Sequence, residues 1–455
     1  MNRGGAGVRA LLGVMTSVVV TLTLVVGVAP TPASAETAEA PVAGATETTV
    51  TAPAQVALRR PVTISATVVA AGAPVTEGSV RFERPSPAGW VGIGEGVVDA
   101  QGTAAVRVVL DADPGAVRAV YTGSGSFGPS TSAAVPVQGV PQAASVVLRA
   151  PRSVVDERTL DVSAAVTTPD GPVPGAAVSF QVYRSKAWRT YGVVATDANG
   201  VARTGSRPRL TYRYRAVVAA GSWYTGARTA TATVRNVPPG TVVKLPRKAP
   251  RPTRLPAQPR ASGDGANASV SRIGDATWRS MKGRSWRAGC PVGRASLRLV
   301  RVNYWGFDGY RHRGEIVVHS SIAGKTARAF SDLYRNRVPI RSMYRVDRFG
   351  YSSRVKGADD HASMQADNTS GFNCRSVIGR PSIRSPHAHG RAIDINPFEN
   401  PYRYRWGRWA PNSWWKDKAA GTYAWTKRSH LVPTIMRRNG FRWTYGAIDG
   451  QHFDG

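Results

Sequence analysis

Ser385-Pro386-His387-Ala388-His389-Gly390-Arg391-Ala392-Ile393-Asp394, answered near the C-terminus by Asp449-Gly450-Gln451-His452-Phe453, decides how the last third of this 455-residue chain is read. His387, Asp394 and His452 form a set of two imidazoles and one carboxylate, the kind that holds a hydrolytic zinc ion and leaves a fourth position to water. A further carboxylate, Asp449, stands three residues before the last of these donors, where such chemistry needs a base. Taken alone, a histidine and an aspartate seven positions apart are a structural pair. The second segment changes that reading, as does the distribution of histidine: all seven (His312, His319, His361, His387, His389, His430, His452) lie in the last third.

The order S-x-H-x-x-G-x-A-x-D followed by a late D/E-x-x-H resembles the zinc D-alanyl-D-alanine carboxypeptidases and L-alanyl-D-glutamate peptidases, which trim the stem peptides of bacterial peptidoglycan. The runs from Ala366 to Arg375 and from Arg391 to Pro397 are similar to that family as well. The resemblance covers residues 286–455. It implies Zn2+ held by His387, Asp394 and His452, with Asp449 as the catalytic base. Ser385, Arg391, Arg375 and Arg354 are the candidates for binding substrate or supporting the metal ligands. Carboxypeptidases of the family place Glu at the base position, whereas Asp is similar to the L-alanyl-D-glutamate endopeptidase branch, so the bond cleaved stays open between the two. His389 sits at a position that varies in the family and is read as a pocket wall or as a group that supports the ligands from behind. His430, His361 and His319 are read as structural or solvent-facing, and His312 as exposed, with lining of the cleft as the competing reading.

The N-terminus reads as a secretory signal over 1–35: Arg3 and Arg9, an apolar stretch from Leu11 to Ala29, and Ala33-Ser34-Ala35 before Glu36. The competing reading is an uncleaved anchor, but Thr16, Ser17, Thr21 and Thr23 dilute the apolar run. The expectation is a secreted or wall-associated protein with no stable membrane insertion after cleavage. The two cysteines, Cys290 and Cys374, are expected to form a disulfide, as a lone pair in an exported domain usually does. Sixty Lys and Arg against 28 Asp and Glu give a formal charge of +32. Such a field attracts polyanions. With no nucleic-acid-binding motif, the partners expected are peptidoglycan stem peptides and anionic cell-wall polymers, not nucleic acid.

Upstream, one module is copied twice at a constant offset of 98 residues. Ser65, Phe82, Trp90 and Gly102 recur as Ser163, Phe180, Trp188 and Gly200, and Arg118-Ala119-Val120 recurs at Arg215-Ala216-Val217 after a one-residue slip. Alternating Val, Ile, Thr and aromatic residues between Gly, Pro, Asp and Asn turns read as β-sandwich strands, and the modules resemble bacterial immunoglobulin-like repeats. Their expected role is spacing or wall adhesion. Trp90 and Trp188 are expected in the cores, with sugar binding through them or Trp223 as the competing reading. Residues 237–285, rich in Pro and basic residues, read as an extended tether.

In the last domain, Leu297 to Tyr304 and Glu315 to Ser320 read as strands. Ile322, Ala327, Phe330 and Leu333 mark a helix, and a second helix is expected from Lys427 to Arg438 with Leu431, Val432, Ile435 and Met436 inward. Phe441 to Ala447 reads as strand-like. The architecture expected is multidomain: two all-β Ig-like sandwiches (36–140 and 141–236), a linker (237–285), and an α+β zinc peptidase domain (286–455) with a small antiparallel sheet and the metal in a cleft across it. The alternative from another class is a wall-binding surface protein whose zinc site is structural or inactive.

Overall fold

The computed structural model describes residues 44–455, so the signal-like segment lies outside the described residues. The chain divides into two compact units, the first made of residues up to 54, 61–108 and 114–138, the second of 55–60, 109–113 and 139–455.

In the first unit, Ser79–Ser86 pairs antiparallel with Gly89–Val97 and with Gly115–Tyr121, while Glu47–Thr51 pairs with Pro61–Ala70. Alternate residues Ile64, Ala66 and Val68 are buried, as are Val80 and Phe82, their cross-strand partners Tyr121 and Ala119, and Val117 on the same strand as those partners. That period of two is what a sheet with one covered face requires.

In the second unit, Ala177–Arg184, Ala187–Ala195 and Tyr212–Val218 repeat the same ladder. Both copies carry a bulge at the same place, between Phe82 and Glu83 and between Phe180 and Gln181. The turn repeats too: Asp99 Oδ1 accepts from the backbone N–H groups of Gln101 and Thr103 at 2.9 Å, and Asp197 Oδ1 from those of Asn199 and Val201 at 2.9 Å. Gly102 and Gly200 take the left-handed conformations, φ 75° and 71°, that close these turns.

The repeated tryptophans are not core residues. Trp90 is 38% exposed and Trp188 half-buried, each on the outer face under an arginine: Arg118 lies 4.2 Å from the Trp90 ring centroid and Arg215 4.3 Å from that of Trp188. The cation covers the ring face and removes the need to bury it. The buried Glu83 pairs with Arg118, and Gln181 takes the corresponding place by accepting from Arg215 Nε at 2.8 Å.

The C-terminal region is built on the hairpin Leu297–Gly306 and Arg311–His319, flanked by Ser269–Arg272 and by a short parallel pairing with Pro339–Ile340. The helix Ser320–Arg335 lays Ile322, Ala323, Thr326, Ala329, Phe330 and Leu333 inward at helical spacing. The shorter helix Leu431–Arg438 buries Val432, Pro433, Ile435 and Met436; Leu431 opens it and is exposed, and Lys427 to His430 stay outside it. Asn439 caps it. Phe441 to Ala447 forms no strand beyond a single bridge of Arg442 with Asp454. His312 is buried, not exposed, stacked on Tyr304 and held by Asp308 at 3.0 Å.

The basic, Pro-rich segment is a packed strap for much of its length. Val243, Leu245 and Ala249 join a cluster with Phe307, Phe398, Trp415 and Tyr423. Further on, the Gln258 side-chain oxygen accepts from Met343 N at 2.7 Å and from the Tyr304 hydroxyl, and its amide donates to Met343 O at 2.9 Å. Composition argued for a tether because it weighs the prolines and charges; the apolar residues spaced among them bury surface, and one glutamine satisfies the Met343 backbone and the Tyr304 hydroxyl. Among the described residues, no helix is long and apolar enough to cross a membrane.

Candidate metal centre

The glycine of the His387 motif explains the local path. Ser385 caps a 3-10 turn over Pro386–His389, and Gly390 ends it in the left-handed region at φ 67°. A Cβ there would lie 2.8 Å from His319 N, whose N–H donates to Gly390 O at 2.7 Å, so only glycine passes close enough. The chain then enters the strand Ala392–Asp394, which pairs antiparallel with His452–Asp454.

Register does the rest. Ile393 lies opposite Phe453, and both are fully buried in the main core. Asp394 lies opposite His452, so the two point together to the other face. The centre therefore sits on its own two-stranded ribbon, anchored to the core through Ile393 and Phe453, and not across the main sheet as expected.

His387, Asp394 and His452 are buried, and one ligand atom from each lies within 4.8 Å of the others. His387 Nε2 is 3.2 Å from Asp394 Oδ2 and 3.2 Å from His452 Nδ1, and His452 Nδ1 is 3.1 Å from Asp394 Oδ1. The outward nitrogens are also held: His387 Nδ1 by the Gly371 carbonyl at 2.7 Å and His452 Nε2 by Asp454 Oδ1 at 3.0 Å. Burial works to raise the pKa of Asp394, but the two imidazoles outweigh it and hold this carboxyl well below the usual carboxylate range. Burial likewise works against a charged His452, while the hydrogen bonds with Asp394 and Asp454 lift it well above the ordinary histidine range. Two imidazoles and a carboxylate crowded together with outer partners on both rings fit a divalent cation such as zinc.

Asp449 lines the same cavity, of about 490 Å³. Its Oδ1 is buried with no hydrogen-bond partner, and burial pushes its carboxyl up to about 6. The loop carrying it is fixed by two indoles, since Trp425 Nε1 and Trp443 Nε1 donate to Gly450 O at 2.8 and 2.9 Å.

Of the remaining sequence candidates, Ser385 and Arg375 line the cavity; Arg375 pairs with Asp360 at 2.9 Å. Arg391 and Arg354 are exposed and outside it. His389 is exposed and does not line the cavity either, because the 3-10 turn rotates it away where an extended strand would have kept it beside His387. Cys290 and Cys374 are bridged, with Cα atoms 5.9 Å apart. Sequence reasoning missed Gly371, Asp454, Trp425 and Trp443. Asp454, two residues after a ligand on a strand, carried a readable signal; the others are long-range contacts.

Residues 379–455 match the family described as D-alanyl-D-alanine carboxypeptidase. Residues 48–138 match the bacterial Ig-like domain (group 3) family. No curated protein matches the chain. Among solved structures, a tetra-tandem repeat from the extending region of a large adhesion protein is 12% identical over 61% of this chain and 64% of its own, TM-score 0.30. Invasin, a bacterial integrin-binding protein, is 15% identical over 59% of this chain and 47% of its own, TM-score 0.30. The chain thus spans under two thirds of either.

Proposed function

We propose that this is an exported zinc peptidase that hydrolyses amide bonds in peptidoglycan stem peptides, with Ig-like repeats that hold it near the wall. The observation that carries the reading is the cavity in which His387, Asp394 and His452 converge beside the unpartnered carboxylate oxygen of Asp449. A structural metal site has no use for such a carboxylate.

His387 through Nε2, His452 through Nδ1 and Asp394 would hold Zn2+, and Gly371 and Asp454 would fix the tautomers that present those nitrogens. Zinc in this role acidifies water and polarises the scissile carbonyl. Asp449 takes the proton of the attacking water on its free Oδ1 and returns it to the leaving amine. Burial raises the Asp449 carboxyl above the ordinary carboxylate range, which suits a group that takes a proton and gives it back. Arg375, which pairs with Asp360 at 2.9 Å and lines the cavity, would orient a substrate oxygen. The basic chain would add attraction to anionic wall polymers, which salt screens.

The test is digestion of soluble stem peptides followed by mass spectrometry, with and without a chelator. Release of terminal D-Ala or cleavage after L-Ala, abolished by the chelator and restored by zinc, supports the proposal and names the bond. Intact peptides under zinc-replete conditions contradict it.

A further inference from the structure

The cavity has more cationic groups than its own carboxylates can use. Five arginines line it against three aspartates: Asp360 pairs with Arg375, Asp394 lies between the two histidines, and Asp449 is buried with its Oδ1 unpartnered, in ion-pair contact with none of the five among the described residues. The other four arginines stand on two hairpins. Arg380 and Arg384 lie on Arg380–Arg384, which pairs with Ser376–Val377; Arg403 ends Tyr402–Arg403, which pairs with Trp409–Ala410, and Arg405 follows it. The hairpins brace each other, since a Cβ on Gly379 would lie 2.8 Å from the Trp406 ring.

Among the described residues, none of these four arginines has a carboxylate within ion-pair distance; Arg384 donates to Gly289 O at 3.2 Å, and all four are exposed. Elsewhere the fold does pair its arginines when carboxylates are near, as with Arg341 between Asp367 and Glu399. Tyr445, Ile448 and Ile383 add exposed apolar surface to the same cavity, 49%, 56% and 46% accessible. A cleft with apolar surface and a cluster of unpaired guanidinium groups suits a short peptide carrying carboxylates better than a polyphosphate chain, which has no apolar surface to bury.

We infer that Arg380, Arg403 and Arg405 form a specificity rim that selects peptides whose carboxylates beyond the scissile amide are free, and discriminates against the same peptides with those groups as primary amides. This rests on the proposed reaction and narrows its substrate. Guanidinium groups bind a carboxylate in bidentate fashion, and an amide offers neither the charge nor the second acceptor.

The test uses the full chain and a pair of soluble stem peptides that differ only in free or amidated carboxylates away from the cleaved bond. Binding is read by calorimetry and turnover by mass spectrometry, for the native protein, for Arg380→Gln/Arg403→Gln/Arg405→Gln, and for Arg184→Gln/Arg189→Gln on the second sandwich as a charge-loss control. The native protein should bind the free-carboxylate peptide about 10-fold more tightly, with the difference in KM and kcat little changed. The rim variant should lose the preference and the control should keep it. Equal binding of both peptides by the native protein, a preference that survives in the rim variant, or the same loss in the control would overturn the inference. So would inorganic polyphosphate outcompeting the peptide at equal charge. A binding preference without cleavage would uphold the rim and contradict the peptidase reading instead.

Discussion

His387 Nδ1 lies 2.7 Å from the carbonyl oxygen of Gly371, and that contact decides which ring nitrogen faces the cavity. A carbonyl only accepts, so Nδ1 carries the proton and Nε2 keeps its lone pair toward Asp394 and His452. Gly371 in turn is pressed against the main hairpin: a Cβ there would meet Val317 O at 2.5 Å, and the next residue, Phe372, donates to that same oxygen at 2.7 Å. Gly371→Ala should push this carbonyl off His387 and weaken zinc binding by about 10- to 100-fold, measured by chelator competition. Unchanged affinity in a folded variant would show that the contact does not orient the ligand.

Metal content separates the two neighbouring histidines. Purified protein should carry one zinc per chain, and His387→Ala or His452→Ala should lose it. His389→Ala should retain it, because that side chain is exposed outside the cavity. Elemental analysis after dialysis decides; full metal in both ligand variants would refute the assignment.

The disulfide supports the same segment. Cys374 is bonded to Cys290, and its N–H donates to Ser285 O at 2.8 Å, two residues from Phe372 on the run that carries Gly371. Closing a loop with a sequence separation of 84 is worth about 4.6 kcal/mol in the chain-entropy description. Cys290→Ser/Cys374→Ser should therefore melt well below the native protein by calorimetry and release zinc more readily. A melting temperature within a degree of native would contradict this.

The ligand motif and the repeat were legible in the sequence because both are local patterns. His387, Gly390 and Asp394 sit on one turn and one strand, and a 98-residue offset needs no knowledge of contacts. The tryptophans and His312 were misread because a pattern of residue types does not show which groups come into contact. Trp90 and Trp188 read as core because they are large and recur; Arg118 and Arg215, on another strand, cover them instead. His312 read as exposed until Asp308, Tyr304 and the strap enclosed it. Gly371, Trp425 and Trp443 act through a carbonyl or on one, and side-chain patterns carry no sign of that.

The strap gives a stability prediction. Gln258→Ala leaves Met343 N–H, Met343 O and the Tyr304 hydroxyl without their shared partner and should cost about 1–3 kcal/mol or more, read from denaturant unfolding. A fragment of residues 238–455 should fold, whereas 286–455 lacks the strap and the edge strand Ser269–Arg272 and exposes Phe307, Trp415 and Tyr423. Identical melting of the two fragments would show that the strap is a plain tether.

The most direct test of the central claim is turnover of purified stem peptide by Asp449→Asn at full zinc occupancy. The amide keeps the shape of the carboxylate but cannot take the proton of the attacking water, so kcat should fall about 10²- to 10⁴-fold with zinc content and melting temperature unchanged. Turnover near the native rate in a folded, zinc-loaded Asp449→Asn protein would contradict the assignment of Asp449 and with it the catalytic reading of this site.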